Sequence, residues 1–227
     1  NLPMLSGGEV LKQLKSDPEL RHIPVQIISG YGSRTHGLKQ GALDFVKKPI
    51  TRETFWKALD KIENFVSRKP KKLLIVEDDV QHNLAVKELI GSGDDNCMSA
   101  YSAKERLTLL QKDHFDCVIV DMGLPDMSGF QFLENIRQNE RLTDLPIIVY
   151  TSKSLSKEDS TKLDQLADSV VLKTAHSHDR LLDETTLFLH RVESQLPKEK
   201  QRMIRKLHKS EEVLKGKDSA KAIPPLY

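Results

Sequence analysis

The chain has 227 residues, of which 35 are Lys or Arg and 33 are Asp or Glu, so its formal net charge is +2. A nearly neutral protein has no bulk electrostatic reason to bind nucleic acid or an anionic membrane surface. Charged residues make up 30% of the chain and hydrophobic residues 38%, as in folded globular proteins, and its apolar runs are far shorter than the roughly 20 residues of a membrane span. We therefore expect no nucleic-acid partner and no membrane segment.

The two cysteines and the first residues bear on the compartment. Cys97 and Cys117 have no metal-binding spacing and form no disulfide framework. The chain begins without the basic start and apolar stretch of a signal peptide. These features predict a reducing, cytoplasmic location.

The first 66 residues predict only part of an α/β domain. The predicted elements are a helix at 8–16, a strand at 24–28, a helix near 34–40, a strand at 44–47 and a helix at 52–66. Half of a parallel sheet would leave a strand edge and an apolar face uncovered. We expect the missing strands to lie upstream or to come from a partner.

After a basic linker at 67–72, residues 73–194 predict a complete domain. Continuous apolar runs alternate with segments of helical period, which is typical of a parallel sheet covered on both faces. The predicted strands are 73–76, 97–101, 117–120, 146–150 and 170–172, and the predicted helices are 80–90, 103–111, 130–136, 157–166 and 179–194. The fold class is therefore α/β, with a doubly wound five-stranded parallel sheet.

Residues 195–227 predict a charged helix and a flexible tail. Within 198–214 a narrow apolar stripe follows heptad-like spacing, which predicts a solvent-exposed helix; its members are Met203, Leu207, Ser210 and Leu214. The tail from Gly216 onward contains two consecutive prolines and predicts disorder.

The chain repeats itself at a shift of 122 residues. This shift lays Leu2-Pro3 on Leu124-Pro125, Pro24 on Pro146 and Ser29 on Thr151. Apolar runs also coincide under the same shift. Residues 1–66 are therefore expected to be the C-terminal half of a second copy of the 73–194 domain.

Polar residues gather where the predicted strands of the complete domain end. They are Glu77, Asp78 and Asp79 after the first strand, Asp121 after the third, Thr151 after the fourth and Lys173 after the fifth. Parallel α/β sheets bind ligands at this edge. Clustered carboxylates repel one another unless a cation joins them, and hard oxygen ligands suit Mg²⁺. The set predicts a magnesium site that positions a phosphoryl group for transfer to an aspartate.

Four segments in this order are similar to a known family. The segments "LLIVEDD" (73–79), "VIVDMGLPDMSGFQFL" (118–133), "PIIVYTS" (146–152) and Lys173 resemble the receiver domain of bacterial two-component response regulators. The resemblance implies a flavodoxin-like sheet of order 2-1-3-4-5. It also implies a signalling module of a phosphorelay, whose partner is the phosphohistidine of a kinase dimerisation or phosphotransfer domain.

The resemblance also assigns roles to individual residues. It implies that Asp121 is the phosphoacceptor, that Asp78, Asp121 and the backbone carbonyl of Gly123 bind Mg²⁺ directly, that Glu77 acts through water, and that Thr151 and Lys173 bind phosphoryl oxygens. Asp79 is independently expected to cap the following helix.

In the first copy, Ser29 and Lys48 occupy the Thr and Lys positions, but its acid pair and acceptor would fall before residue 1. Tandem receivers followed by a charged helix resemble the C-terminal region of a multi-receiver hybrid sensor histidine kinase. The kinase core is absent from this chain, so its own enzymatic activity stays undecided.

Two departures from the family leave an alternative open. Thr174 follows Lys173 where the family usually has Pro, so we expect a trans bond or a local rearrangement there, and Val170 stands where the family usually has an aromatic residue. Both favour a scaffold of receiver fold that docks partners without a phosphorylation-dependent switch. A metal phosphohydrolase would need an acid at the position of Gly123 and is disfavoured.

Overall fold

The computed structural model describes residues 6–68, 70–91, 95–174 and 177–220. Its strands are β1 Gln26–Ser29, β2 Asp44–Lys47, β3 Lys71–Val76, β4 Asp95–Ala100, β5 Cys117–Val120, β6 Ile147–Thr151 and β7 Ser169–Leu172. Its α-helices are α1 Gly7–Ser16, α2 Arg34–Lys39, α3 Arg52–Ser67, α4 Val80–Ile90, α5 Ala103–Lys112, α6 Gly129–Gln138, α7 Lys157–Leu166, α8 Ser177–Phe188 and α9 Lys198–Ala220.

A five-stranded parallel sheet forms the centre of the second domain. Its strand order is β4-β3-β5-β6-β7, which is the predicted order 2-1-3-4-5. Along β3 the side chains alternate between two apolar clusters: Leu74 packs with Phe132 of α6 on one face, and Ile75 packs with Leu181 of α8 on the other. Both faces are therefore covered, which explains why these strands are continuous apolar runs.

The first unit comprises α1, β1, α2, β2 and α3, and its two strands pair in parallel. One backbone contact is the same in both domains. The amide of Lys48 donates to the carbonyl of Ser29 at 2.9 Å, and the amide of Lys173 donates to the carbonyl of Thr151 at 2.8 Å. The interpretation of residues 1–66 as a partial second copy stays a prediction, and residues 1–5 lie outside the described part.

The helix expected at 179–194 ends earlier, at Phe188. His190 has φ +49°, the amide of Arg191 donates to the carbonyl of Thr186, and that of His190 donates to the carbonyl of Leu187. These two bonds form a Schellman motif, which terminates the helix at a left-handed residue. The prediction was wrong here because glycine is the usual residue at that position, so His190 gave no signal for the end of a helix.

The C-terminal helix also differs from its prediction. α9 continues to Ala220, so residues 216–220 are helical rather than disordered, and the rest of the expected tail lies outside the described residues. α9 is not simply solvent-exposed, because Ile204 is fully buried and packs with Leu182 and Leu196. The heptad stripe omitted Ile204, since a single buried isoleucine among charged residues leaves no periodic pattern.

The linker is shorter than the expected 67–72. α3 includes Ser67 and β3 begins at Lys71, where the Lys71 ammonium lies 3.3 Å from the centre of the Phe65 ring. Lys71 and Lys72, two of the basic residues of the expected linker, therefore belong to a strand. In the described part of the chain, no helix combines the length and apolar character that crossing a bilayer requires.

Ion pairs join the first unit to the second domain. Arg34 and Lys61 both bind Asp144, in the turn before β6. Arg21 binds Asp183 of α8, whose carboxylate also lies 3.0 Å from His208 Nε2 of α9. The first unit and α9 thus both contact α8 at Asp183.

Candidate functional site

The predicted acids and the predicted lysine lie at the carboxyl edge of the five-stranded sheet. Glu77 follows β3, Asp121 follows β5, Thr151 ends β6 and Lys173 follows β7. The first three are at most 8% exposed. Because parallel strands end at a common edge, residues far apart in the chain become neighbours.

Lys173 joins the two buried acids directly. Its Nζ donates to Glu77 Oε2 at 2.7 Å and to Asp121 Oδ2 at 2.7 Å. The Lys173 side chain is only 15% exposed. A charge-assisted pair of this length in a poorly solvated site is stronger than a surface ion pair.

Asp121 is held as a carboxylate. Burial raises the pKa of Asp121, but hydrogen bonds from Lys173 and from the Gly123 amide, at 3.2 Å, together with the Thr151 hydroxyl, outweigh burial and lower the pKa below its usual value. A nucleophilic oxygen is therefore ionised at neutral pH.

The pKa values of Glu77 and Lys173 are both raised, but for different reasons. Burial raises the pKa of Glu77, and the hydrogen bond from Lys173 only partly offsets this effect. Burial lowers the pKa of Lys173, yet its bonds to Asp121 and Glu77 outweigh burial and raise the pKa. The ammonium thus stays charged beside the carboxylates.

Thr151 lies fully buried beneath this cluster. Its hydroxyl accepts a hydrogen bond from the backbone amide of Lys153 at 3.2 Å. The hydroxyl donates its own proton to the Asp121 carboxylate, and this donor is the one that an oxygen of an anion bound at Asp121 would accept.

Asp78 and Gly123 stand at the rim of the cluster, where both are exposed. Within the described ranges, no group of three or more Asp, Glu, His or Cys side chains is close enough to bind a metal ion unaided. The donors still suit a hard divalent cation, since they are carboxylate and carbonyl oxygens at adjacent strand ends. A cation here has to share the Asp121 carboxylate with Lys173.

Asp79 caps α4 as expected. Its Oδ1 accepts the amide hydrogen of His82 at 2.9 Å, and its own amide lies 3.4 Å from Glu77 Oε1. This residue therefore fixes the start of α4 and touches the cluster through its backbone.

Two supporting contacts have no counterpart in the sequence analysis. Tyr150 lies beneath Lys173, with its ring centre 5.3 Å from Nζ, and its hydroxyl lies 3.1 Å from Ser177 Oγ. Ser177 Oγ in turn donates to the carbonyl of Thr174 at 2.8 Å. These contacts, which run from Tyr150 through Ser177 to Thr174, hold the segment after Lys173. The peptide bond between Lys173 and Thr174 is trans, as expected.

The loop after Asp121 is tied by a buried arginine. Arg106 of α5 is 0% exposed and pairs with Asp126. The side chain also lies over the Phe132 ring at 5.3 Å. A lone arginine on a helix gave no sequence signal for this role.

In the first unit, Ser29 and the exposed Lys48 line an open groove. The groove is also bounded by Ser6, Tyr31 and His36, and its described lining includes no carboxylate. The described part of this groove therefore presents a hydroxyl and an ammonium group.

The second domain is similar to proteins of a known family. The family model "Response regulator receiver domain" matches residues 73–186, about half of the chain. Chemotaxis protein CheY-3 of Vibrio cholerae is 34% identical over 90 residues, which cover 39% of this chain and 69% of CheY-3.

Two larger relatives match over longer stretches. Response regulator PleD of Caulobacter vibrioides is 27% identical over 176 residues, covering 65% of this chain and 38% of PleD. Sensor histidine kinase RcsC of Escherichia coli is 31% identical over 120 residues, covering 53% of this chain and 12% of RcsC. This chain therefore spans only a minor part of either protein.

Solved structures resemble the complete domain. The Mn²⁺-bound form of response regulator Rcp1 aligns with a TM-score of 0.49 and 22% identity, covering 56% of this chain and 99% of Rcp1. A CheY-like receiver protein from Methanospirillum hungatei JF-1 aligns with a TM-score of 0.48 and 27% identity, covering 55% and 98%.

Proposed function

Because the chain belongs to the response regulator receiver domain family, we propose that it is a phosphoacceptor module of a two-component phosphorelay, with Asp121 as the acceptor. The observation that carries the proposal is the pair of 2.7 Å bonds from Lys173 to Asp121 and Glu77. They place an ionised nucleophile and a fixed positive charge in one small site.

In the proposed reaction, a carboxylate oxygen of Asp121 attacks the phosphorus of a phosphohistidine. The new O–P bond forms as the P–N bond breaks, and the imidazole leaves with the electron pair and takes up a proton. Negative charge on the phosphoryl oxygens is met by the Lys173 ammonium and the Thr151 hydroxyl. Lys173 thereby exchanges part of its contact with Asp121 for the new anion.

We further propose that Asp78, Asp121 and the carbonyl of Gly123 bind Mg²⁺, with Glu77 acting through water. The oxygen donor set supports this ion over a softer metal. When bound, the cation neutralises phosphoryl charge that Lys173 alone leaves unmatched.

We propose a histidine kinase or phosphotransfer domain as donor, a hybrid sensor kinase as parent protein and the cytoplasm as location. The similarity to RcsC supports the parent and donor. Cys97 and Cys117, which no disulfide joins in the described part of the chain, support a reducing compartment.

The test is intact-mass spectrometry of the chain after incubation with Mg²⁺ and acetyl phosphate. Wild type is expected to gain one phosphoryl group and Asp121→Asn none. The matched control Asp164→Asn, which changes an exposed carboxylate elsewhere, should label like wild type. Unlabelled wild type, or labelled Asp121→Asn, contradicts the assignment.

A second candidate is a docking scaffold without a phosphorylation switch. The observation in its favour is that α9 already covers part of α8, through Ile204 and Leu182. Hydrogen exchange of α9 with and without beryllofluoride separates the two candidates. A scaffold leaves the α9 exchange rates unchanged, whereas a tenfold change, about 1.4 kcal/mol of coupling, indicates a switch.

A further inference from the structure

A cavity of about 220 Å³ lies between the first unit and the second domain. Among its lining residues, Asp116, Pro146 and Asp168 directly precede β5, β6 and β7. The cavity is thus at the amino edge of the five-stranded sheet, whereas Asp121 is at the carboxyl edge. It is a different place from the proposed phosphoacceptor site.

About half of the residues that line the cavity are apolar, and the others carry ionisable side chains. The first unit contributes Leu43 and Phe65, and the second domain contributes Leu110, Leu142 and Phe188. A dry apolar cavity of about 150 Å³ is large enough to hold benzene. This cavity therefore has room for one ring and a short polar arm.

Asp116 is the polar group that lacks a hydrogen bond in this lining. The residue is 6% exposed, and its Oδ2 accepts the amide hydrogen of Lys72 at 2.9 Å. Among the described residues, its buried Oδ1 has no hydrogen-bond partner, although it forms an ion pair with Arg68 at 3.3 Å and lies 3.6 Å from His114 Nε2. A buried acceptor of this kind favours a donor from a bound molecule.

The charge of Asp116 persists despite its burial. Burial raises the pKa of Asp116, but contacts with His114, the Lys72 amide and Arg68 outweigh burial and lower the pKa. The Oδ1 atom is therefore the oxygen of a carboxylate, which binds a cationic donor more strongly than a neutral one.

The other acids in the lining already have partners. Asp113 pairs with Lys72 at 2.8 Å, and Asp168 pairs with Arg137 at 2.7 Å. Asp144 is bound by Lys61 at 2.9 Å and by Arg34. Asp116 Oδ1 also forms an ion pair, with Arg68, but it is a buried carboxylate oxygen without a hydrogen bond from the residues that the structure describes.

We propose that this cavity binds a small organic amine, with a one-ring apolar body against the walls and a primary ammonium donating to Asp116 Oδ1. Arg68 does not block the position, since its side chain is 39% exposed and can turn toward solvent.

The test is isothermal titration calorimetry of the whole chain with benzylamine, and with benzyl alcohol as its uncharged isostere. Benzylamine is expected to bind saturably at one site. Benzyl alcohol should bind at least tenfold more weakly, because it cannot supply the ammonium. Absence of benzylamine binding, or equal affinity for both compounds, overturns the proposal.

Variants locate the binding. Asp116→Asn is expected to weaken benzylamine binding at least tenfold, whereas Asp113→Asn, which removes a lining carboxylate already paired with Lys72, should leave the affinity within about twofold. Leu142→Trp fills the cavity and should abolish binding even if Asp116→Asn fails to fold. Undiminished binding to a folded Asp116→Asn or Leu142→Trp variant places the amine elsewhere and contradicts the proposal.

Discussion

The ammonium of Lys173 is 2.7 Å from one oxygen of Glu77 and 2.7 Å from one oxygen of Asp121, so a single side chain balances two buried acids. Removing it would leave those acids facing each other in a poorly solvated site. The effect on stability then depends on whether the acids are ionised.

Lys173→Met is expected to lower the free energy of unfolding by about 1–3 kcal/mol at pH 7, because a charge-assisted contact is lost. Asp121 has a lowered pKa in the folded wild type, so its contribution is present above the unfolded pKa and disappears as pH falls through the folded pKa. The gap between variant and wild type should therefore narrow below about pH 4.

Urea unfolding at several pH values measures this gap. Lys153→Met, at an exposed lysine of the neighbouring loop, is the control and should stay within about 0.5 kcal/mol of wild type at every pH. A Lys173→Met deficit that does not change with pH would contradict the ion-pair explanation.

Gly129 shows how closely the loop after Asp121 packs. A Cβ at this position would lie 2.9 Å from the backbone Cα of Met122 and 2.8 Å from its sulfur. We expect Gly129→Ala to cost about 1–3 kcal/mol through overpacking, measured by urea unfolding. Gly7→Ala, where a Cβ meets nothing within 4 Å, should cost nothing; equal losses in both variants would exclude the steric explanation.

The residues at the strand ends were easier to predict from the sequence than the residues that hold them in place. Asp121 and Lys173 were predictable because each follows a continuous apolar strand, and parallel strands end at one edge. Tyr150 and Ser177 were not, because their hydroxyl contact joins two elements through single side chains. Such a contact leaves no periodic pattern in the sequence.

At the scale of elements, alternation predicted the strands and most helices of the second domain. It did not predict where α9 packs. Ile204 is fully buried against Leu182 and Leu196, although the surrounding helix is rich in Lys, Arg and Glu. Ile204, with the partly buried Met203 beside it, therefore gives a mostly polar helix its apolar attachment to the second domain.

Ile204→Ala is expected to destabilise the docked state of α9 by about 2–5 kcal/mol, the usual loss for a fully buried isoleucine. Hydrogen exchange of α9 amides should accelerate accordingly while the β3 and β5 amides stay protected. Val213→Ala changes an exposed residue of the same helix, 52% accessible, and should leave exchange unchanged. Equal effects of both substitutions would show that Ile204 does not anchor α9.

At the scale of the whole molecule, Asp183 connects three parts. It binds Arg21 of the first unit and His208 of α9 from its place on α8. Burial raises the pKa of Asp183, but His208 and Arg21 outweigh it and lower the pKa, while the bond to Asp183 raises the pKa of His208. The junction is therefore sensitive to pH.

His208→Ala should cost about 1–2 kcal/mol of unfolding free energy near pH 6, where the imidazolium meets the ionised Asp183. A raised histidine pKa gives stability that is complete below the unfolded pKa and is lost as pH rises through the folded pKa. The difference from wild type should therefore shrink toward pH 9. Urea titrations at both pH values measure it, with the exposed His178→Ala as control; a difference that grows with pH would contradict this pairing.

The position of Asp183 also affects any outside molecule that recognises α8. Such a competitor has to displace segments of the same polypeptide, whose tethering gives them an effective concentration near the millimolar range for short connections. Displacing these segments costs free energy, so the apparent affinity of the outside molecule is weaker than the isolated contact surface would suggest. Truncation of the chain after Ser194 would remove α9, one of these tethered segments, and the outside molecule should then bind α8 more tightly.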